Sequence, residues 1–195
     1  MGGEPNTVLP LPVGHTLSGG AVCLRVPRRS DLEFIRHLWV DPETMKPVGG
    51  PLNLSPEAAS DWYERWVDPG SVDRAYWLVL AGGSPVGEIS FRGYDVRERV
   101  AHLNLKIAAS ARGEGYGRQA LRAFLPFFFR DLAGTSLVDD VAPDNVAGQS
   151  LLLSEGFERD PNVTDVCRLV LNRAQWSATW ARNPHGAAPV ARQCR

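Results

Sequence analysis

Between Val100 and Ala120 the chain reads VAHLNLKIAASARGEGYGRQA, and its three alternating glycines, Gly113, Gly115 and Gly117, lie between an alternating apolar run and an apolar stripe of helical spacing. The pattern is that of a strand running into a glycine loop that becomes a helix. Glycine lacks the Cβ that would keep backbone N–H groups from closing on an anion. A helix that starts there adds its unpaired N–H groups and the positive end of its dipole. The stretch is therefore expected to cradle a phosphate, and the rest of the chain has to build a sheet that presents it.

The remaining segments supply such a sheet. Ala21 to Val26 alternates as a first strand, and Ser30 with Glu33 forms a capping box ahead of a helix carrying Ile35, Leu38 and Trp39. Ser55-Pro56 starts a second helix through Trp62, Tyr63 and Trp66. Tyr76 to Leu80, Pro85 to Arg92 and Arg99 to Ile107 are three strands joined by short glycine turns, which requires antiparallel pairing. Beyond the loop, Ala120, Leu121, Phe124, Leu125, Phe128 and Leu132 keep a helical period across Pro126, which should bend the axis. Ser136 to Ala142 then reads as a strand able to pair in parallel, Asn145 caps a helix ending at Gly156, and Phe157 to Arg159 with Val163 to Leu171 form a last hairpin. The expected fold is α/β, a mixed, mostly antiparallel sheet flanked by helices. Residues 1–20 are expected to be a flexible arm, 21–173 the domain, and 174–195 a helical turn with a disordered tail.

At 195 residues the chain suits one domain. The 21 basic and 22 acidic side chains give no field that would draw it to nucleic acid or an anionic membrane. Cys23, Cys167 and Cys194 lack paired spacing and read as free thiols of a reducing compartment, with no metal site. Neither a secretion signal nor an apolar run long enough to span a membrane is seen, and Asn6 stands where a myristoylation motif needs Ser or Thr, so a cytoplasmic location is expected. Phe127, Phe128 and Phe129 diverge by about 100° each on a helix, so one of them is expected to face outward and mark a homodimer contact.

Two phosphate ligands compete for the loop. Gly115-x-Gly117-x-x-Ala120, with Asp139 or Asp140 about twenty residues on, fits a relaxed dinucleotide fingerprint, although that fingerprint belongs to a parallel sheet. No Walker sequence is present. The second reading starts at Arg112. Arg112-Gly-Glu-Gly115-Tyr-Gly117 resembles the Arg/Gln-x-x-Gly-x-Gly/Ala signature of the GNAT N-acetyltransferases, and Asn145 followed eleven residues later by Gly156-Phe157 is similar to their second signature. The order of elements over roughly residues 21 to 173 is also similar, most of all to the branch containing ribosomal-protein N-terminal acetyltransferases.

The resemblance implies acetyl-CoA as cosubstrate and a small-molecule or peptide amine as acceptor. It implies that Ile107, Ala108 and Ala109 supply backbone contacts to the pantetheine arm and the oxyanion. Arg112, Gly113, Glu114, Gly115, Tyr116, Gly117 and Arg118 would hold the pyrophosphate, and Asn145 and Ser150 would add contacts from the second signature. Strand alternation puts His102, Asn104 and Lys106 on one face, making His102 and, on the adjacent strand, Glu88 the candidate bases, with Asn104 beside them. Leu152 stands where many relatives have Tyr, and Gly148 where they often have Ser, so no general acid is evident. A non-catalytic acyl-CoA-binding module and a dinucleotide oxidoreductase remain as alternative readings.

Overall fold

The computed structural model describes residues 9–182, and in it the alternating runs become one eight-stranded sheet. The strands are β1 (Thr16–Gly19), β2 (Val22–Arg25), β3 (Ala75–Ala81), β4 (Ser84–Asp95), β5 (Val100–Ile107), β6 (Ser136–Val141), β7 (Glu158–Arg159) and β8 (Cys167–Asn172), in the order β1-β2-β3-β4-β5-β6-β8-β7. Every neighbouring pair is antiparallel except β5–β6. That single parallel pair follows from the helix between its strands, which carries the chain back to the starting edge. A sheet of this kind does not make the parallel dinucleotide crevice, so Asp139 and Asp140 are not ribose-binding acids.

Helices cover both faces. On one lie α1 (Leu32–Val40), the single turn α2 (Pro42–Met45) and α3 (Pro56–Trp66), with Trp39, Trp62 and Trp66 packed around Tyr76 of β3. On the other lie α4 (Tyr116–Pro126), α5 (Val146–Ser154) and α6 (Arg173–Arg182), with Phe124 against Trp77 and Phe91. Tyr76 and Trp77 are adjacent in β3, so alternation sends one to each layer. The Ser55 hydroxyl caps α3 at the Ala58 N–H, as its sequence requires.

Four expectations need correction. The start of α1 is organised by Asp31 rather than by Ser30 and Glu33: its carboxylate accepts the Arg28 N–H at 2.7 Å and both guanidinium nitrogens of Arg25 at 2.9 and 3.0 Å. Within the expected arm, Leu9 and Leu11 are buried and β1 pairs with β2, because the core offers these apolar side chains a place. The rest of the arm and the tail beyond Arg182 lie outside the described residues.

The third correction concerns the phenylalanines. Phe127, Phe128 and Phe129 are at most 2 % exposed. Pro126 cannot donate a backbone hydrogen bond, and after it the helix widens to a π turn, with Leu132 N–H donating to Phe127 O. Phe127 then meets Trp77, Phe128 meets Phe91, and Phe129 stacks on Trp176 of α6. The diverging side chains thus have separate apolar neighbours, and the ground for a homodimer contact disappears. Cys167 is a buried free thiol, whereas Cys23 is disulfide-bonded, against the expectation that all cysteines are free. No helix among the described residues is long and apolar enough to cross a membrane.

Candidate active site

The parallel pairing of β5 with β6 ends at His102↔Val138, although β5 runs on to Ile107 and β6 to Val141. Beyond that point the strands part and leave a wedge in the sheet. Ala108 donates its N–H to Val86 O at 2.9 Å, toward β4, and Arg99 O accepts from Thr135 on the other side. The two-residue alternation therefore turns the N–H groups of Leu103, Leu105 and Ile107 into the wedge, where an extended ligand can pair with them as an added strand.

The glycine loop closes the mouth of this wedge. Gly115 precedes α4 at φ +76°, a left-handed conformation in which other residues are strained, and no side chain caps the first turn. Its N–H groups are left for an anion. A Cβ on Gly117 would come within 3.3 Å of Leu151 and 3.5 Å of Ile107, so α4 rides as close to the wedge as a residue without a side chain allows. The loop residues Gly113 and Glu114 are exposed. This cradle offers the unpaired backbone donors that a pyrophosphate would need.

Arg112 does something the signature does not reveal. Its guanidinium donates to Ile107 O at 3.2 Å and to the carbonyls of Glu43 and Thr44 in α2 at 3.1 and 2.8 Å. The Thr44 hydroxyl, buried and bonded to Asp41, accepts the Ala109 N–H at 2.9 Å. The N–H groups of Ala108 and Ala109 are thus both engaged inside the protein, and α2 is latched to the loop. Thr44 was not evident as a site residue, since nothing local in sequence links it to a loop 65 residues away.

On the α1/α3 face the register sets Glu88 opposite Lys106, and Ser90 opposite Asn104. Glu88 is fully buried. One carboxylate oxygen accepts from Trp39 Nε1 at 2.6 Å and from the Tyr76 hydroxyl; the other accepts from Lys106 Nζ and from Asn104 Nδ2 at 3.2 Å. Burial, with the Glu88 charge second, pushes the Tyr76 hydroxyl well above the ordinary tyrosine range, so it remains a donor. Four donors occupy the two carboxylate oxygens of Glu88, and its ion pair fixes Lys106 against Trp39. Asn104 also reaches Ser90, and an amide cannot serve as a base near neutrality. His102 lies where the strands part, half-buried, with Arg92 opposite it on β4. Near it, Asp140 is held below the ordinary carboxylate range mainly by hydrogen bonds from Arg168 at 2.7 and 2.9 Å.

On the far side of the wedge, Asn145 caps α5 by accepting the Gly148 N–H at 3.0 Å, and lines an open cavity of about 260 Å³ together with Lys46, Pro47, Asp144, Val146 and Ala147. Leu152 is buried, and Ser150 is exposed. Arg118 reaches away from the loop to Ser154 of α5 and to Glu155 just past its end, at 3.1 Å each, and Tyr116 packs against the core. Among the described residues, no three His, Cys, Asp or Glu side chains gather as a metal site would require.

Comparison with known proteins agrees with this geometry. None of the curated proteins matches the sequence. Solved structures do match in fold. The spermidine N-acetyltransferase from Vibrio cholerae, in complex with CoA and spermine, superposes with a TM-score of 0.74 at 19% identity, over 80% of this chain and 98% of the other. A GNAT-family acetyltransferase from Bacillus anthracis gives 0.66 at 16%, over 82% and 99%. A protein from Vibrio cholerae provisionally named a ribosomal-protein-serine acetyltransferase gives 0.66 at 20%, over 83% and 99%. Residues 21–158 match the acetyltransferase (GNAT) domain, and the chain therefore belongs to that family and is an acetyltransferase.

Proposed function

We propose that the protein transfers the acetyl group of acetyl-CoA to a primary amine by direct attack of the amine on the thioester. The observation that carries this reading is the wedge between β5 and β6 with the α4 N-terminus at its mouth and a polar sheet face beside it. With the pyrophosphate on the loop, the arm extends back along β5 and sets the thioester toward the closed end of the wedge. The N–H groups of Leu103 and Leu105 are directed there and serve the oxyanion. His102, on the face covered in part by α1 and α3, accepts the amine proton, directly or through water. Glu88 positions Lys106 and the strand wall, and Asn104 holds Glu88.

The acceptor is a small-molecule or peptide amine approaching past α2 and the cavity at Lys46 and Asp144. On that face Lys106 is neutralised by Glu88, and Arg92 and His102 lie near Asp140, so charge alone does not select among amines. The cytoplasm, where acetyl-CoA is at hand, is the compartment this reading implies. The test is release of free CoA thiol from acetyl-CoA against a panel of primary amines, including amino acids, N-terminal peptides and polyamines. Amine-dependent release supports the reading, and the panel identifies the class of acceptor. Tight acetyl-CoA binding with no turnover on any amine contradicts it and favours the binding module, to which the buried Leu152 lends support as a site without a general acid.

A further inference from the structure

Asp139 is the first residue of β6 beyond the last β5 pair. Its face of the strand is otherwise apolar: Leu137 and Val141 flank it, and Leu169 lies opposite on β8, all buried. No hydrogen bond or ion pair holds its carboxyl among the described residues. The charged groups around it are all committed or set apart. Asp140 points to the other face and pairs with Arg168, Lys106 pairs with Glu88, and Arg92 and His102 lie on the far face of β4 and β5. Asp139 is thus an unpartnered acid at the closed end of the wedge, on the α4/α5 side, across the sheet from His102.

We propose that Asp139 is the catalytic acid that protonates the departing CoA thiolate. The inference rests on the acetyl-CoA reading of the wedge. As the tetrahedral oxyanion collapses, the C–S bond breaks and its electron pair goes to sulfur. The proton on the Asp139 carboxyl passes to that sulfur and leaves CoA thiol and an aspartate carboxylate. The nitrogen proton goes to His102, and both groups return to their starting states by exchange with solvent as products leave. Burial, with the Asp140 charge adding to it, raises Asp139 to about 7, against which Lys106 and Arg92 act only weakly. A carboxyl near 7 remains partly protonated at neutral pH and is a stronger acid than a thiol near ~8.5, so the transfer runs downhill. Leu152, where related enzymes carry a tyrosine, leaves this role open.

The experiment compares wild type with Asp139→Asn in two measurements: acetyl-CoA affinity by calorimetry, and kcat against pH with amine saturating. The amide keeps the shape and removes the acid. Affinity is expected to change less than about threefold, with kcat falling about 10²-fold or more and the descending alkaline limb of the wild-type profile lost. His102→Ala should lower kcat while leaving the alkaline limb in place. A variant that keeps wild-type kcat with its alkaline limb overturns the proposal, as does a wild-type profile with no alkaline limb, which needs no variant to fold. Failure of wild type itself to bind acetyl-CoA removes the underlying reading as well, and the calorimetry distinguishes that result.

Discussion

Glu88 is the residue on which the acceptor face depends most. A carboxylate without solvent contact is tolerable only because Trp39, Tyr76, Asn104 and Lys106 all donate to it. Glu88→Ala strands the Lys106 ammonium among aromatic rings and should destabilise the fold by about 3–5 kcal/mol, read by denaturant unfolding. Tyr76→Phe removes one donor of the four and should lose about 1–3 kcal/mol. Asp139 makes the opposite contribution. Its carboxyl titrates near 7 in the folded protein and near the ordinary 3.8 when unfolded. Folding therefore binds the proton more tightly, and the stability present below the unfolded value is lost as pH rises through about 7. Asp139→Asn should match wild type near pH 4 and exceed it at pH 8 by on the order of a few kcal/mol, a divergence that unfolding curves at the two pH values measure. Asp41, Asp73 and Asp140 are all lowered, by their hydrogen bonds first, and act at acid pH outside that window.

At the scale of elements, the link between α2 and the glycine loop ties the acceptor wall to the cofactor cradle. Arg112 and Thr44 carry it through bonds to three carbonyls and one N–H. Arg112→Ala should raise KM for acetyl-CoA and for the amine together, because the same guanidinium holds both sides, while Arg118→Ala, whose polar partners are Ser154 and Glu155, should leave the amine KM unchanged. Steady-state kinetics with each substrate varied separates the two. The glycine loop, the meander, the parallel β5–β6 pair and the Asn145 cap were all legible in sequence, because each rests on local pattern: alternation, glycine spacing, a capping residue. The latch, the four donors on Glu88 and the place of Asp139 just past the last β5–β6 pair were not, since each joins residues far apart in the chain or depends on where two strands stop pairing. The burial of the three phenylalanines escaped for a different reason: Pro126 changes the helix to a π turn, and a fixed 100° step no longer applies.

Across the whole molecule the sheet keeps two chemistries apart. Helices α4 and α5 lie on one side and α1 to α3 on the other, and on the proposed reading the wedge is where a cofactor held by the first layer is reached by an acceptor from the second. In this arrangement His102 and Asp139 sit on opposite faces at the same depth, so proton uptake and proton delivery need not share a group. The central claim is that the wedge is built for acetyl-CoA, and the most direct measurement is thermal unfolding with acetyl-CoA, CoA, NAD and ATP, each at about a hundred times a micromolar Kd. Binding at that excess stabilises the folded state by about 2.7 kcal/mol, or about 5–10 °C for a chain of this size. Such a rise with acetyl-CoA and CoA, and none with NAD or ATP, is the predicted result; no rise with either CoA species, or a rise with NAD alone, contradicts the account.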